Sequence, residues 1–136
     1  MSGTLISLLD MTTYELDNRA DGATVPILVA PNIDVTRWSH GDLLVRVHSS
    51  TITGSATLTV ALVRSLPSPQ DPSRKFEQSS LASKTIDANT AAAPTLLLSA
   101  LTEPLGSFAS LYIVAHQPTP ATTLSATISV ELALKS

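Results

Sequence analysis

The sequence of 136 residues contains no cysteine. A disulfide framework, a thiol nucleophile and a cysteine-ligated zinc site are therefore excluded. The three histidines, His40, His48 and His116, are scattered without the spacing of metal ligands, and the five glycines form no phosphate-binding loop. We therefore expect neither a metal site nor a bound cofactor.

Charge is scarce as well. Charged residues make up 14% of the chain, against about 25% in typical globular proteins, and the formal net charge is −3. A nucleic-acid-binding protein needs a cluster of basic residues to displace counterions from phosphates. Arg74 and Lys75 are the only adjacent basic residues, so direct binding to nucleic acid is not expected.

Long apolar runs are absent. No run approaches the roughly 20 residues that a membrane-spanning helix needs. The N-terminal segment also lacks the basic residues that precede the apolar core of a secretory signal. We expect no membrane association and no signal peptide, which leaves synthesis in the cytoplasm.

Catalytic motifs are missing too. Residues 106–110, Gly-Ser-Phe-Ala-Ser, lack the second glycine of a nucleophile elbow. His40 and Asp42 are more typical of a turn than of a catalytic base and its orienting acid. Residues 17–22 begin like a calcium loop but place Arg19 where a ligand is required. The sequence therefore predicts a protein that is not an enzyme.

The chain is instead rich in alternating patterns of apolar and hydroxyl-bearing side chains. Between residues 124 and 134 every second side chain is apolar, which predicts a long strand with one buried face. Residues 43–50, 57–64 and 108–116 show the same alternation. Gly54 lies in a short polar connection, so the first two of these segments are predicted to form an antiparallel hairpin.

Weaker strand patterns occupy residues 12–16, 25–30, 81–86 and 95–101. Pro26 and Pro94 indicate strand edges or strand starts, because proline cannot donate a backbone hydrogen bond. No window shows the periodicity of an amphipathic helix. About eight strands without crossover helices predict an all-β fold, an antiparallel β-sandwich or a jelly-roll-like barrel.

The domain organisation follows from the same pattern. Residues 25–136 are predicted to form a single domain, and residues 1–24 an N-terminal arm or edge segment. Residues 65–78 contain three prolines and exceed the usual length of a connection, so we expect a long loop there. This loop is either a solvated excursion or a contact arm, with Phe76 as its apolar anchor beside Arg74 and Lys75.

Three segments carry a resemblance to a known group of proteins. They are Leu-Leu-Val-Arg-Val-His-Ser-Ser at residues 43–50, Ala-Thr-Leu-Thr-Val-Ala-Leu at 56–62 and Thr-Leu-Ser-Ala-Thr-Ile-Ser-Val-Glu-Leu at 123–132. With the short N-terminal lead, the chain resembles small virion structural proteins of tailed bacteriophages, either capsid decoration (cement) proteins or minor head or tail proteins. The resemblance implies a homo-oligomer in the virion that binds a major capsid or other virion protein and performs no chemistry.

The alternative is a carbohydrate-binding β-sandwich module. Sugar-binding surfaces often use an exposed aromatic ring, because an aromatic side chain supplies a large contact area at little entropic cost. Trp38, in a polar stretch after Arg37, is the candidate platform, although a lone tryptophan between strands also serves as a core plug or a cap at the end of a sheet.

The two hypotheses predict different behaviour in solution. If residues 1–24 are a contact arm, their deletion converts a defined oligomer into a monomer, which light scattering measures directly. A monomer that is unaffected by the deletion would contradict the arm hypothesis. The sugar-binding alternative predicts instead that Trp38→Ala removes affinity for a glycan.

Overall fold

Eight strands form two antiparallel sheets that pack face to face in this computed structural model. The structure describes residues 3–16, 23–67, 75–90, 92–102, 105–117 and 123–136, and within these ranges it contains no helix. The strands are β1 (Gly3–Leu16), β2 (Ala23–Asp34), β3 (His40–Ile52), β4 (Thr57–Pro67), β5 (Lys75–Ile86), β6 (Thr95–Ala100), β7 (Phe108–Gln117) and β8 (Leu124–Lys135).

The strand order is that of a jelly roll. Sheet A has the order β1-β8-β3-β6 and sheet B the order β2-β7-β4-β5, and all pairings are antiparallel. Among these eight strands, β4 and β5 are the only consecutive pair within one sheet, and every other connection carries the chain from one sheet to the other. The predicted all-β sandwich is confirmed.

The predicted hairpin between residues 43–50 and 57–64 is wrong. β3 pairs with β8 and β6, whereas β4 pairs with β7 and β5. Gly54 does adopt a positive φ of 63°, but its turn leads the chain across the sandwich instead of back along the same sheet. A hairpin and a crossing between sheets both need a tight turn, and the local sequence does not distinguish them.

The N-terminal residues form part of sheet A. β1 pairs with β8 from Gly3 opposite Lys135 to Leu16 opposite Leu124, so residues 3–16 are an edge strand. The side chain of Tyr14 packs against the core, and this burial raises the pKa of its hydroxyl above the usual value. Deletion of residues 1–24 would remove this strand and expose β8.

The connection between β4 and β5 is shorter than the loop predicted at residues 65–78. β4 continues to Pro67 and β5 begins at Lys75, and these two residues pair with each other. The intervening residues 68–74 lie outside the described part of the chain. Both prolines lie where they were expected, since Pro26 lies within the edge strand β2 and Pro94 directly precedes the start of β6.

The core lies between the inner faces of the two sheets and is almost entirely aliphatic. Every second residue of β8 is buried, as the alternation predicted, and β3, β4 and β7 contribute their own inward-facing rows. The buried side chains of these four strands include Leu43, Val45, Val47, Leu58, Val60, Leu62, Leu111, Ile113, Leu124, Ile128, Val130, Leu132 and Leu134. Removal of this apolar surface from water is the main favourable contribution to folding.

Close packing also explains one glycine. Gly41 is buried near the start of β3, opposite Leu134, and a Cβ atom at this position would overlap the carbonyl oxygen of Ala133. Only glycine allows β3 and β8 to approach this closely while they keep their register.

The core predicts a large difference between two chemically identical substitutions. Leu132→Ala removes a fully buried side chain and should lower the free energy of unfolding by about 2–5 kcal/mol. Leu5→Ala removes a side chain that is 59% exposed and should change the free energy of unfolding by less than about 0.5 kcal/mol. Urea unfolding followed by circular dichroism measures both, and equal losses would contradict this description of the core.

Candidate binding cleft and interaction surface

A cleft opens where β6 ends. β6 covers β3 from Asp42 to Val47, but β3 continues to Ile52, so its last residues have no strand beside them on that side. The connection between β5 and β6 passes next to this uncovered edge and leaves a cavity of about 520 Å³. The residues described as lining it are His48, Ser49, Ser50, Ile52, Asp87, Ala88, Thr90, Ala92 and Ala93.

One wall of the cleft is shaped by a β-bulge. The register between β3 and β8 shifts between Val47 and Ser49, which leaves His48 as the extra residue. The Nε2 atom of His48 lies 2.9 Å from the hydroxyl oxygen of Ser129. His48 also lines a second cavity of about 270 Å³, together with Arg46, so it stands at the junction of the two spaces.

The opposite wall is a tight turn after β5. The Oδ1 atom of Asp87 accepts hydrogen bonds from the Asn89 N–H at 2.9 Å and from the Thr90 hydroxyl at 3.3 Å. The backbone closes the turn, since the Thr90 N–H donates to the Asp87 carbonyl oxygen at 3.2 Å. The cleft therefore presents a carboxylate and several hydroxyl groups on an ordered frame, which suits hydrogen bonding to a small polar ligand.

Within the described residues, no group of three His, Asp or Glu side chains is placed to hold a metal ion. Ser110, from the segment compared with a nucleophile elbow, is completely buried in β7 and has no access to a substrate. No helix in the described part of the chain has the length and apolarity needed to cross a membrane.

The histidines lie apart. His48 belongs to sheet A and His116 to sheet B, so the two do not form a cross-strand pair. His40 and Asp42 lie in β3 and not in the turn that their sequence suggested. The His40 Nδ1 atom is 2.9 Å from the Ser39 hydroxyl oxygen, and Asp42 lies opposite the backbone of Ala133.

Trp38 lies in the connection between β2 and β3. Its ring is half-buried against the core, and the guanidinium carbon of Arg37 lies 5.9 Å from the ring centroid. Its backbone N–H donates to the Val35 carbonyl oxygen at 3.1 Å. The tryptophan therefore covers one end of the sandwich. An arginine lies over its ring, whereas a sugar-binding platform needs an open ring face.

The other predicted interaction residues are less completely described. Phe76 and Lys75 lie at the start of β5, and their backbones pair with Leu66 and Pro67 of β4. The side chains of Phe76 and Lys75, and the whole of Arg74, lie outside the described residues. Their proposed role as a contact arm stays a prediction.

The outer face of sheet A carries an apolar patch. Leu96 and Leu98 of β6 are 42% and 55% exposed, and Leu98 lies directly opposite the partly buried Leu44 of β3. An ion pair borders the patch, with the Arg46 Nε atom 2.8 Å from the Glu131 carboxylate oxygen. An exposed apolar patch rimmed by charge is typical of a surface that meets another molecule.

The connection that contains Trp38 begins at a carboxylate whose pKa is shifted. The pKa of Asp34 lies below its usual value, first because the Thr36 hydroxyl donates to Oδ1 at 2.6 Å and next because the Thr36 N–H donates at 3.0 Å. A lowered pKa means that the ionised carboxylate favours the turn. This contribution is present above the usual carboxyl pKa and is lost as the pH falls through the lowered pKa.

Comparison with known proteins finds similarity in fold alone. No protein family profile and no curated protein matches the chain. A structure of infectious bursal disease virus, Gx strain, superposes with a TM-score of 0.53 at 18% identity and covers 98% of this chain but 31% of that chain. The Gt strain gives a TM-score of 0.49 at 17% identity, with coverage of 98% of this chain and 32% of that chain. The chain thus spans about a third of the length of these viral chains.

The Asp34 turn yields a test by titration. Thr36→Val removes the hydroxyl donor but keeps the backbone N–H, so the pKa of Asp34 should rise part of the way to its usual value. NMR titration of the side-chain carboxyl carbon measures this. Thr57→Val, in β4 of sheet B, serves as the control and should leave the Asp34 pKa in place. An unchanged pKa in Thr36→Val would contradict the assigned cause.

Proposed function

We propose that this protein is a non-enzymatic structural component of a virus particle that assembles with copies of itself. The observation that carries the proposal is the jelly-roll strand order, together with the superposition of 98% of the chain on part of a viral structure. Viral capsid domains are among the commonest users of this architecture. Since one fold serves many functions, the surface has to supply further support.

The outer face of sheet B provides such support. Seven outward-facing residues of its two central strands are partly buried, and none of them is Asp, Glu, Lys or Arg. They are Thr57, Thr59, Ala61, Val63, Tyr112, Val114 and His116. Charged residues are depleted at the centres of protein interfaces, because burial of a charge costs hydration energy. A face of this composition favours contact with neighbouring subunits.

The narrower form of the proposal follows the resemblance to phage virion proteins. In this form the chain is a capsid decoration or cement protein, or a minor virion protein, of a tailed bacteriophage and binds a major capsid protein. The viral structure with the same fold belongs to a different kind of virus, so it supports the broad proposal and not this narrower one.

A second candidate function is sugar binding, and the cleft beside His48 is the observation that favours it. Its cavity of about 520 Å³ has the size of a small-ligand site, and it offers the Asp87 carboxylate with hydroxyls from Ser50 and Thr90. Lectin domains also use the jelly-roll architecture. The cleft contains no aromatic residue among those described, which weakens this candidate.

The primary test is assembly of the purified chain. Sedimentation velocity over a hundredfold range of concentration, with electron microscopy of the heaviest fractions, should show a defined oligomer or closed particles. A chain that remains monomeric throughout this range would contradict the proposal.

The sugar-binding candidate is tested by a glycan array with two variants. Asp87→Asn removes the charge in the cleft but keeps the oxygen that accepts from Asn89 and Thr90, whereas Trp38→Ala tests the tryptophan. A structural protein should bind no glycan specifically. Specific binding that Asp87→Asn abolishes and Trp38→Ala spares would place a sugar in the cleft and favour the second candidate.

A further inference from the structure

The four edge strands, β1 and β6 of sheet A and β2 and β5 of sheet B, differ in how they are protected from pairing with another chain. β1 carries Asp10 and Glu15 and shifts register twice against β8. β2 carries Pro31 and β5 carries Lys84, and each also shifts register twice against its neighbour. Charges, prolines and bulges are the devices that protect sheet edges. β6, Thr-Leu-Leu-Leu-Ser-Ala, has no charge, proline or register shift.

The hydrogen bonds show which backbone groups of β6 are free. The Leu101 N–H donates to the Gly41 carbonyl oxygen at 2.9 Å, so Leu101 directs its backbone groups toward β3. In a regular antiparallel ladder this direction alternates from residue to residue. The N–H and carbonyl groups of Leu96, Leu98 and Ala100 therefore point away from β3, toward the open side of sheet A.

The same residues project their side chains to the outer face of sheet A. Leu96 and Leu98 are exposed there, and Leu98 lies opposite Leu44. Free hydrogen-bonding groups and exposed leucines on one short strand form a surface suited to another extended strand, which would satisfy both.

From these observations we infer that two copies of the chain pair through β6, antiparallel, about a two-fold axis at Leu98. This inference rests on the proposed self-assembly and names one of its contacts. Sheet A then continues across the contact into sheet A of the second copy. Leu98 lies opposite Leu98 of the second copy, and Leu96 opposite its Ala100.

The position of the axis follows from the backbone. With the axis at Leu98, the residues with free backbone groups in one copy (Leu96, Leu98 and Ala100) lie opposite the residues with free backbone groups in the other copy. Each of their N–H groups then meets a carbonyl oxygen. An axis at Leu97 would instead place Ala100 opposite Pro94 of the second copy, which has no N–H to donate. An axis between two residues would pair free groups with groups already bonded to β3.

The charges on the outer face are compatible with the same axis. On the outer face, Arg46 lies opposite Leu96 and Asp42 lies opposite Ala100. Because Leu96 meets Ala100 of the second copy, Arg46 falls in line with Asp42 of the second copy, and symmetry repeats the arrangement. Their backbones would be three strand spacings apart, about 14 Å, with a small alanine and a leucine between them. In the row through the axis, Glu131 of one copy is in line with Glu131 of the other, but the two backbones would be five strand spacings or about 24 Å apart, and each Glu131 is already paired with Arg46.

The leucines complete the contact. The row of outward side chains that passes through the axis consists of Leu44 and Leu98 of one copy followed by Leu98 and Leu44 of the other. This row is apolar at its centre, and in each of the two flanking rows Arg46 of one copy is in line with Asp42 of the other, so the contact is self-complementary. One six-residue strand buries less area than a stable isolated dimer needs, so this contact acts with others in the assembly.

The absence of cysteine allows a direct test by cross-linking. Leu98→Cys should give a covalent dimer with a short bismaleimide, because the two introduced thiols face each other across the axis. Leu5→Cys is the matched control, since Leu5 is equally exposed on the outer face of sheet A but lies on the opposite edge strand. It should give no dimer above background.

The companion test is sedimentation velocity of Leu98→Lys. This change places two like charges opposite each other in the paired form and should weaken self-association about tenfold or more. Leu5→Lys should leave it unchanged. Both leucines are exposed, so thermal unfolding followed by circular dichroism should show both variants folded like the original chain.

Three outcomes separate the two proposals. Dimer formation by Leu98→Cys with weaker assembly of Leu98→Lys supports pairing through β6. An oligomer that survives Leu98→Lys, with no cross-link at Leu98→Cys, overturns the β6 pairing and leaves the proposed function in place. A monomeric original chain without a cross-link at this position overturns both.

Discussion

The structure depends on the burial of one face of each sheet against the other. β8 shows this constraint most clearly, because it is hydrogen-bonded to β1 on one side and β3 on the other while six of its side chains enter the core. Neither sheet can bury its apolar face alone, so the two must pack together. A hydrophobic term of about 25 cal/mol per Å² of buried apolar surface offsets the entropy lost when the strands become ordered.

This packing leaves the outer faces and the edges of the sheets for function. The core uses the inward side chains of every central strand, so any contact with another molecule has to use outward residues, strand edges or connections. The cleft at His48 arises where β6 is shorter than β3, and the apolar patch arises on β6 itself. Both features lie at the β6 edge of sheet A, where no further strand of the chain covers the sheet edge.

Much of the architecture follows from local patterns. The alternation from Leu124 to Leu134 specifies a strand and its inward face, because successive side chains of a strand point to opposite sides. Pro94 before β6 and the positive φ of Gly54 are equally local. The candidate cleft was not predictable in this way, since the bulge at His48 and the end of β6 depend on the register between distant strands. The sequence alone indicates Trp38 as a candidate, but its half-buried position beneath the Arg37 guanidinium depends on how the two sheets pack together.

The sequence by itself determined the all-β class, the approximate positions of most strands, the inward faces of the central strands and the lack of a recognisable catalytic motif, because these depend on side-chain type and a period of two residues. Only the tertiary structure decided which strands are neighbours. β3 and β4 are separated by one short turn, yet they belong to different sheets, and residues 3–16 join β8 from the far end of the chain. The physical reason is that backbone hydrogen bonds are the same for every strand, so pairing is chosen by the fit of whole apolar faces and not by local sequence.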